Sequence, residues 1–261
     1  MSEAPPFFTR YGFGDLDPAA RTLSITPYPE VCVAGALRAT VVASAIDLLG
    51  AACTREIADV DATFTSDLSL RIVRPGMPER IEARAERLRG GRRLVTTGVT
   101  LEADGAPWAY GETTFSRIAR DPKEAPDRAD LVTPTGIPRH PLARPLAEEV
   151  GVVVLDPMAG RTRIPLRPAL LNPEGVLQGA LVALAVECAA LACADAGLGR
   201  AQAVCALDLR YLAAAAAGPV ESEAAWIGDT SDRLLRVRLR DAGREHRITT
   251  TALVRVVDAP A

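Results

Sequence analysis

Lysine is nearly absent from this chain. Lys123 is the only one, so almost all of the 30 cationic residues are arginine, which reads as coding bias before function. Histidine is scarce too, with His140 and His246 the only two. Aromatic residues make up 4% of the sequence and leave few stacking platforms for nucleobases. The net charge of −3 supplies no basic field to draw in a phosphate backbone, so no nucleic-acid partner is expected. The five cysteines, Cys32, Cys53, Cys188, Cys193 and Cys205, include no CxxC pair. That pattern excludes the usual structural zinc site and points to buried thiols in a reducing, cytoplasmic setting. There is no GxSxG elbow, no GxxxxGK[ST] loop and no strand-linked GxGxxG. A serine hydrolase of that type and a nucleotide-phosphate cradle are unsupported, and no cofactor or metal is expected. The stretch MSEAPPFFTR lacks the charged start and apolar core of a signal peptide. The apolar runs 34–53 and 176–194 approach the length of a membrane span. Both are Ala-rich and carry a carboxylate near the middle, so no membrane association is expected.

The sequence does contain a repeat. Leu16-Asp17-Pro18 returns as Leu155-Asp156-Pro157, and Gly35 through Cys53 aligns with Gly175 through Cys193. Leu68-Ser69-Leu70-Arg71 matches Leu207-Asp208-Leu209-Arg210, and Arg117 matches Arg255. The spacing stays between 138 and 140 residues throughout, far longer than a solenoid unit. The 261 residues, 48% hydrophobic and 24% charged, therefore divide into two similar units, each able to bury a core. These are residues 1–120 and 147–261, with a linker over 121–146. Six prolines between Pro122 and Pro145 deny that linker both helix and central strand.

Each unit has the same local order. A short strand (22–26; 161–166) is followed by a Pro- and Gly-containing loop and an almost wholly apolar helix, 36–55 or 176–196. An all-round apolar helix must be buried. Extended segments follow at 66–73, 82–88, 94–102 and 109–118, and again at 206–212, 221–227, 234–240 and 247–257. Those at 66–73 and 206–212 alternate polar and apolar residues, and turns such as Arg89-Gly90-Gly91-Arg92 join neighbouring segments as hairpins. One buried helix wrapped by an antiparallel meander is an α+β design.

The apolar helices carry one chemical oddity. Asp47 lies in the first and Glu187 at the repeat-equivalent position of the second. An unpaired carboxylate in an apolar site costs several kcal/mol and titrates above its ordinary range. Matched acids suggest a polar pocket bordered by both helices. The plainer alternative is that each is held by a backbone group or a strand arginine. Asn172 lies in the loop before the second helix, and Gln178-Gly179 opens that helix. A free N–H at a helix N-terminus is a ready oxyanion donor, an Asn amide can add another, and a carboxylate can activate water. Together they suit hydrolysis of an activated acyl group. Asn172 before Pro173 also fits a turn, and Gly179 also fits close helix packing. The arginines around 89–93 could meet phosphates, but they also fit a solvated hairpin tip.

The order of loop, apolar helix and meander, with Gly175-Val176-Leu177-Gln178-Gly179 and Glu187, resembles the hotdog-fold thioesterases. Leu68–Pro75 and the Arg-rich hairpin 84–97 share in the likeness, which covers both units. The resemblance implies a double hotdog of two repeats, each an antiparallel sheet wrapped around a long central helix. It also implies acyl-CoA thioesterase activity, with two units pairing and sharing sites across their interface. The family's usual motif is Asn, then His-Gly, then an acid down the helix. The second unit places Asn172, Gln178, Gly179 and Glu187 at those positions, and the first places Cys32, Arg38, Ala39 and Asp47. A hydroxyl about 18 residues after the acid falls on Thr65 after Asp47 and on Cys205 after Glu187. The resemblance thus implies one complete composite site, Asn172 and Gly179 with Asp47 and Thr65. Its counterpart, Cys32 and Ala39 with Glu187 and Cys205, looks decayed. Gln178 and Arg38, in place of the usual His, would bear on substrate binding. The substrate would be an acyl-CoA or related acyl thioester, in the cytoplasm, with room for a homo-oligomer through the sheets. Two other readings stay open. One is a non-catalytic acyl or small-molecule binding protein. The other is a hotdog hydratase or dehydratase, which would need a His near the acid helices.

Overall fold

The computed structural model describes residues 7–55, 62–118, 141–172 and 174–260. A 3-10 turn at Phe7–Arg10 leads into β1 (Phe13–Asp17) and β2 (Thr22–Ile25). The two-residue strands β3 (Cys32–Val33) and β4 (Ala36–Leu37) make a hairpin before α1 (Ala39–Arg55). Then come β5 (Ala62–Ile72), β6 (Ile81–Gly90), β7 (Leu94–Ala103) and β8 (Ala106–Ile118). The second half runs α2 (Leu146–Val150), β9 (Val153–Asp156), β10 (Arg161–Ile164), α3 (Gly179–Leu198), β11 (Gln202–Tyr211), β12 (Val220–Trp226), β13 (Leu234–Asp241) and β14 (Arg247–Asp258).

Twelve of these strands form one sheet in the order β1-β2-β6-β7-β8-β5-β11-β14-β13-β12-β10-β9, every neighbouring pair antiparallel. Read from either edge, strands meet in the same sequence until β5 joins β11 at the centre. There Ser69 faces Asp208, Leu68 faces Leu209 and Leu70 faces Leu207. Arg71 forks onto Asp208 with two hydrogen bonds of 2.9 and 3.0 Å, and Arg210 meets Asp67 at 3.0 Å from the other side. Alternation sorts the faces: Leu68, Leu70 and Ile72 of β5 and Ile81, Ala83 and Ala85 of β6 point inward, with polar residues between them.

Both long helices lie on the inner face and pack against each other. Leu181 through Ala194 of α3 are almost all buried, which explains a helix with no polar stripe. α3 is long and apolar enough to cross a membrane, but most of it is enclosed by this fold. It ends at Gly199, whose left-handed conformation (φ 67°) lets its N–H reach the Asp195 carbonyl at 2.9 Å.

Both helices begin three residues later than the apolar pattern expects. Ala34 and Gly35, with φ of 46° and 76°, turn the chain so that Ala36–Leu37 pairs with Cys32–Val33 instead of coiling. Leu177 makes the matching bridge to Leu171 in the second half. Most of the expected linker, 121–140, lies outside the described residues. Its final part is packed rather than free: Leu142 and Leu146 are buried, and the Leu142 N–H donates to Tyr28 Oη at 3.1 Å. Apolar side chains at those two positions dock the segment onto the first half.

At Gly111 on β8, α1 comes close to the sheet. A Cβ there would stand 2.3 Å from Ile46 Cδ1 and 2.7 Å from the Ser69 carbonyl oxygen. Gly111→Ala is therefore expected to lower unfolding free energy by about 1–3 kcal/mol in a denaturant titration. Adding Ile46→Val should recover only part of the loss, because the Ser69 carbonyl cannot retreat.

Candidate active site

The antiparallel packing of α1 on α3 sets the N-terminus of each helix beside the carboxylate carried by the other. The two junctions are built differently. At the start of α1, Glu187 is 1% exposed and its carboxylate is saturated. Oε1 accepts from the Ala39 N–H at 2.9 Å, and Oε2 accepts from the Thr40 N–H at 3.2 Å and the Thr40 hydroxyl at 2.5 Å. Arg38 Nη1 stands 3.8 Å from Oε2 and also reaches Cys188 Sγ at 3.9 Å. The acid is an N-cap supplied from another helix, answering the unsatisfied N–H groups and positive end of α1.

Asp47 faces the start of α3 in the same way but is one methylene shorter. Its Oδ1 accepts from Thr65 Oγ1 at 2.6 Å. Its Oδ2 lies 4.0 Å from where a Cβ on Gly179 would sit, and Tyr211 Oη lies 4.0 Å from that same point. Among the described residues, and apart from Gly179's chain neighbours and the backbone of its own helix, no other atom lies within 4 Å of it, so Gly179 holds open a space flanked by a carboxylate and a phenol. Leu181 and Val182 donate to the Gln178 carbonyl at 2.8 and 3.1 Å, whereas the Gly179 and Ala180 N–H groups have no partner among the described residues. Burial raises the Asp47 carboxyl above its ordinary value of 3.8, and the Thr65 hydrogen bond opposes the rise. Tyr211 is also pushed up by burial, and secondarily by the Asp47 charge, so the phenol stays neutral.

The sequence-derived residues divide accordingly. Asp47, Thr65 and Gly179 come together. Gln178 is the residue before the helix and is 9% exposed. Its Nε2 donates to the Leu171 carbonyl at 3.1 Å, and its buried Oε1 has no partner among the described residues. Asn172 works as a turn former: its Oδ1 accepts from the N–H groups of Glu174 at 3.0 Å and Val176 at 3.2 Å. Glu187, Ala39 and Arg38 meet at the other junction. Cys32 instead donates its thiol to the Tyr28 carbonyl at 3.4 Å, and burial pushes it up to about 11.

Cys205 does not hold the place expected of it. Register slips between Thr65 and Asp67 in β5 and between Val204 and Ala206 in β11 put Ser66 and Cys205 in matching bulges. The counterpart of Thr65 is therefore the buried Val204, and Cys205 Sγ turns to the Arg255 carbonyl at 3.5 Å. Tyr211 escaped the sequence reading altogether. It ends β11 with no motif around it, and its counterpart in the first half is Ile72. Of the two histidines, His246 is exposed in the β13–β14 turn, 3.8 Å from Glu221, and His140 lies outside the described residues.

No family model matches the sequence, and no curated protein does. Solved structures do match the fold. An acyl-ACP thioesterase from Bacteroides thetaiotaomicron is 13% identical, with 92% of this chain and all of that one covered at a TM-score of 0.62. The tesB protein of Mycobacterium avium subs paratuberculosis is 15% identical over 96% of this chain and 97% of its own, at 0.63. A hot dog fold protein of unknown function from Alicyclobacillus acidocaldarius is 15% identical over 99% and 100%, at 0.59. The expected hotdog fold, an α+β architecture with a large antiparallel sheet, is borne out.

Truncating Glu187 would leave the N-terminus of α1 buried without an acceptor and Arg38 without its charge partner. Glu187→Ala is expected to cost about 3–5 kcal/mol of unfolding free energy. Glu187→Gln, which keeps an acceptor oxygen, should cost less than Glu187→Ala in the same titration.

Proposed function

We propose that this protein is a tandem double hotdog that hydrolyses an acyl thioester, an acyl-CoA or a close relative, at the junction of Asp47 with the start of α3. The repeat units at 1–120 and 147–261, joined through 121–146, each supply one side of that junction. One observation carries the reading. At the equivalent junction the carboxylate oxygens of Glu187 rest on the first two N–H groups of α1, so a helix start in this setting holds a negatively charged oxygen. At α3 the equivalent N–H groups, of Gly179 and Ala180, have no partner among the described residues, and the Asp47 carboxylate stands nearby without capping them.

A thioester carbonyl placed over Gly179 would point its oxygen at the Gly179 and Ala180 N–H groups, with the Asn172 amide as a third donor. Oxyanion donors of this kind are each worth about 10²–10³ in kcat. Thr65 fixes one oxygen of Asp47, which leaves Oδ2 to take a proton from water as it attacks the carbonyl carbon. Gln178 and Arg38 border the two helix starts, and in this reading the unpartnered Gln178 Oε1 accepts a hydrogen bond from the substrate. A cytoplasmic site of action fits the free thiols, and the exposed sheet faces leave room for a homo-oligomer. Neither cofactor nor metal enters the scheme, and neither nucleic acid nor membrane is a partner in it.

Purified protein should release thiol from short, medium and aromatic acyl-CoA esters in a thiol-reagent assay. Asp47→Asn is expected to reduce that rate by about 10²–10⁴. An equal low rate for both proteins removes the proposal, and tight ligand retention without turnover would favour the binding reading. The pH profile adds a second check. Only deprotonated Asp47 can act as base, and burial raises its carboxyl, so the acid limb of kcat/KM should fall above 3.8. Thr65→Val removes the bond that lowers it and should move that limb to higher pH.

A further inference from the structure

We propose that Tyr211 is a further catalytic residue, whose phenol O–H hydrogen-bonds the thioester sulfur and stabilises the departing thiolate. The inference rests on the hydrolase reading and assigns a group to the one charge that reading leaves unattended. Asp47 and the α3 N–H groups deal with the incoming water and the carbonyl oxygen, and the sulfur must leave on the remaining side of the carbon. Tyr211 Oη borders the space over Gly179 at the same 4.0 Å as Asp47 Oδ2. Its present partner is the Gly179 carbonyl at 3.4 Å, long for an O–H···O bond and readily exchanged for a better acceptor. Burial and the Asp47 charge keep the phenol protonated, which makes it a donor and not a competing nucleophile. The closed junction has Ile72 in the corresponding place. There Glu187 already occupies the helix start, and no leaving group has to be served.

The step balances without another reactant. Water adds its oxygen to the carbonyl carbon and gives a proton to Asp47. The C–S bond then breaks with its electron pair on sulfur, which is held by the Tyr211 O–H. Asp47 returns its proton to the sulfur, and the acid product ionises into solvent.

Leaving-group dependence tests this directly. Two thioesters of one acyl chain are compared, one with an alkyl thiol such as CoA and one with 4-nitrothiophenol, whose thiolate leaves without help. Tyr211→Phe is expected to lower kcat on the alkyl thioester about 10- to 100-fold, to leave the aryl thioester nearly unchanged, and to leave KM unchanged. Equal losses on both substrates, or no loss on either, would overturn the proposal. If the Phe variant does not fold, 3-fluorotyrosine at position 211 replaces it. As a stronger donor it should narrow the gap between the two substrates, and an unchanged gap again overturns the role. Wild-type protein inactive on both thioesters would overturn the hydrolase reading, and this inference with it.

Discussion

A buried helix start has to be answered by something negative. Its first N–H groups have no partner within the helix, and the aligned peptide dipoles add positive potential at that end. Packing α1 against α3 buries two such starts at the core of this protein, each next to an acid from the opposite helix. The rest of the site follows from how each start is answered. Glu187 answers α1 with its own carboxylate, through hydrogen bonds of 2.9 and 3.2 Å to successive N–H groups. That closes the junction and ties the two halves of the chain together from within the core.

The other junction differs at several of the matching positions. Asp47 is a methylene shorter than Glu187 and is drawn to Thr65, where the second half has Val204. Gly179 contributes no Cβ, where the first half has Ala39. Tyr211 lines the space, where the first half has Ile72. A single backbone arrangement thus yields a structural lock at one end and an open space at the other. In the hydrolase reading, Glu187 at its own junction stands where a reaction intermediate would sit at the other.

Much of this was legible in the sequence. The repeat spacing carries the strand order because paired strands of fixed register must recur at fixed distance. Asp47 and Gly179 could be found because an acid in an apolar helix and a glycine at a helix start each break a local rule, whereas Thr65 came only from the family resemblance, which implies a hydroxyl about 18 residues after the acid. What escaped did so for physical reasons. The helix starts were misjudged because a hairpin and a helix turn are equally apolar at Ala36–Leu37. Counting along the chain put Cys205 opposite Thr65, but the repeat spacing drops from 140 in the helices to 139 in the strands, so Cys205 matches Ser66, at the equivalent bulge. Asn172 has both a turn and a donor role open to it by type, and its Oδ1 has taken the turn. Tyr211 gave no signal, since a tyrosine ending a strand is ordinary until the fold sets it beside Asp47.

The central claim is that one methylene decides between lock and site, and Asp47→Glu tests it. Side-chain length alone should carry the new carboxylate onto the Gly179 and Ala180 N–H groups, as Glu187 already sits on Ala39 and Thr40. The expected result is a higher melting temperature together with a loss of thioester hydrolysis of at least about 10²-fold, although the charge is unchanged. Full activity with an unaltered melting temperature would contradict the account.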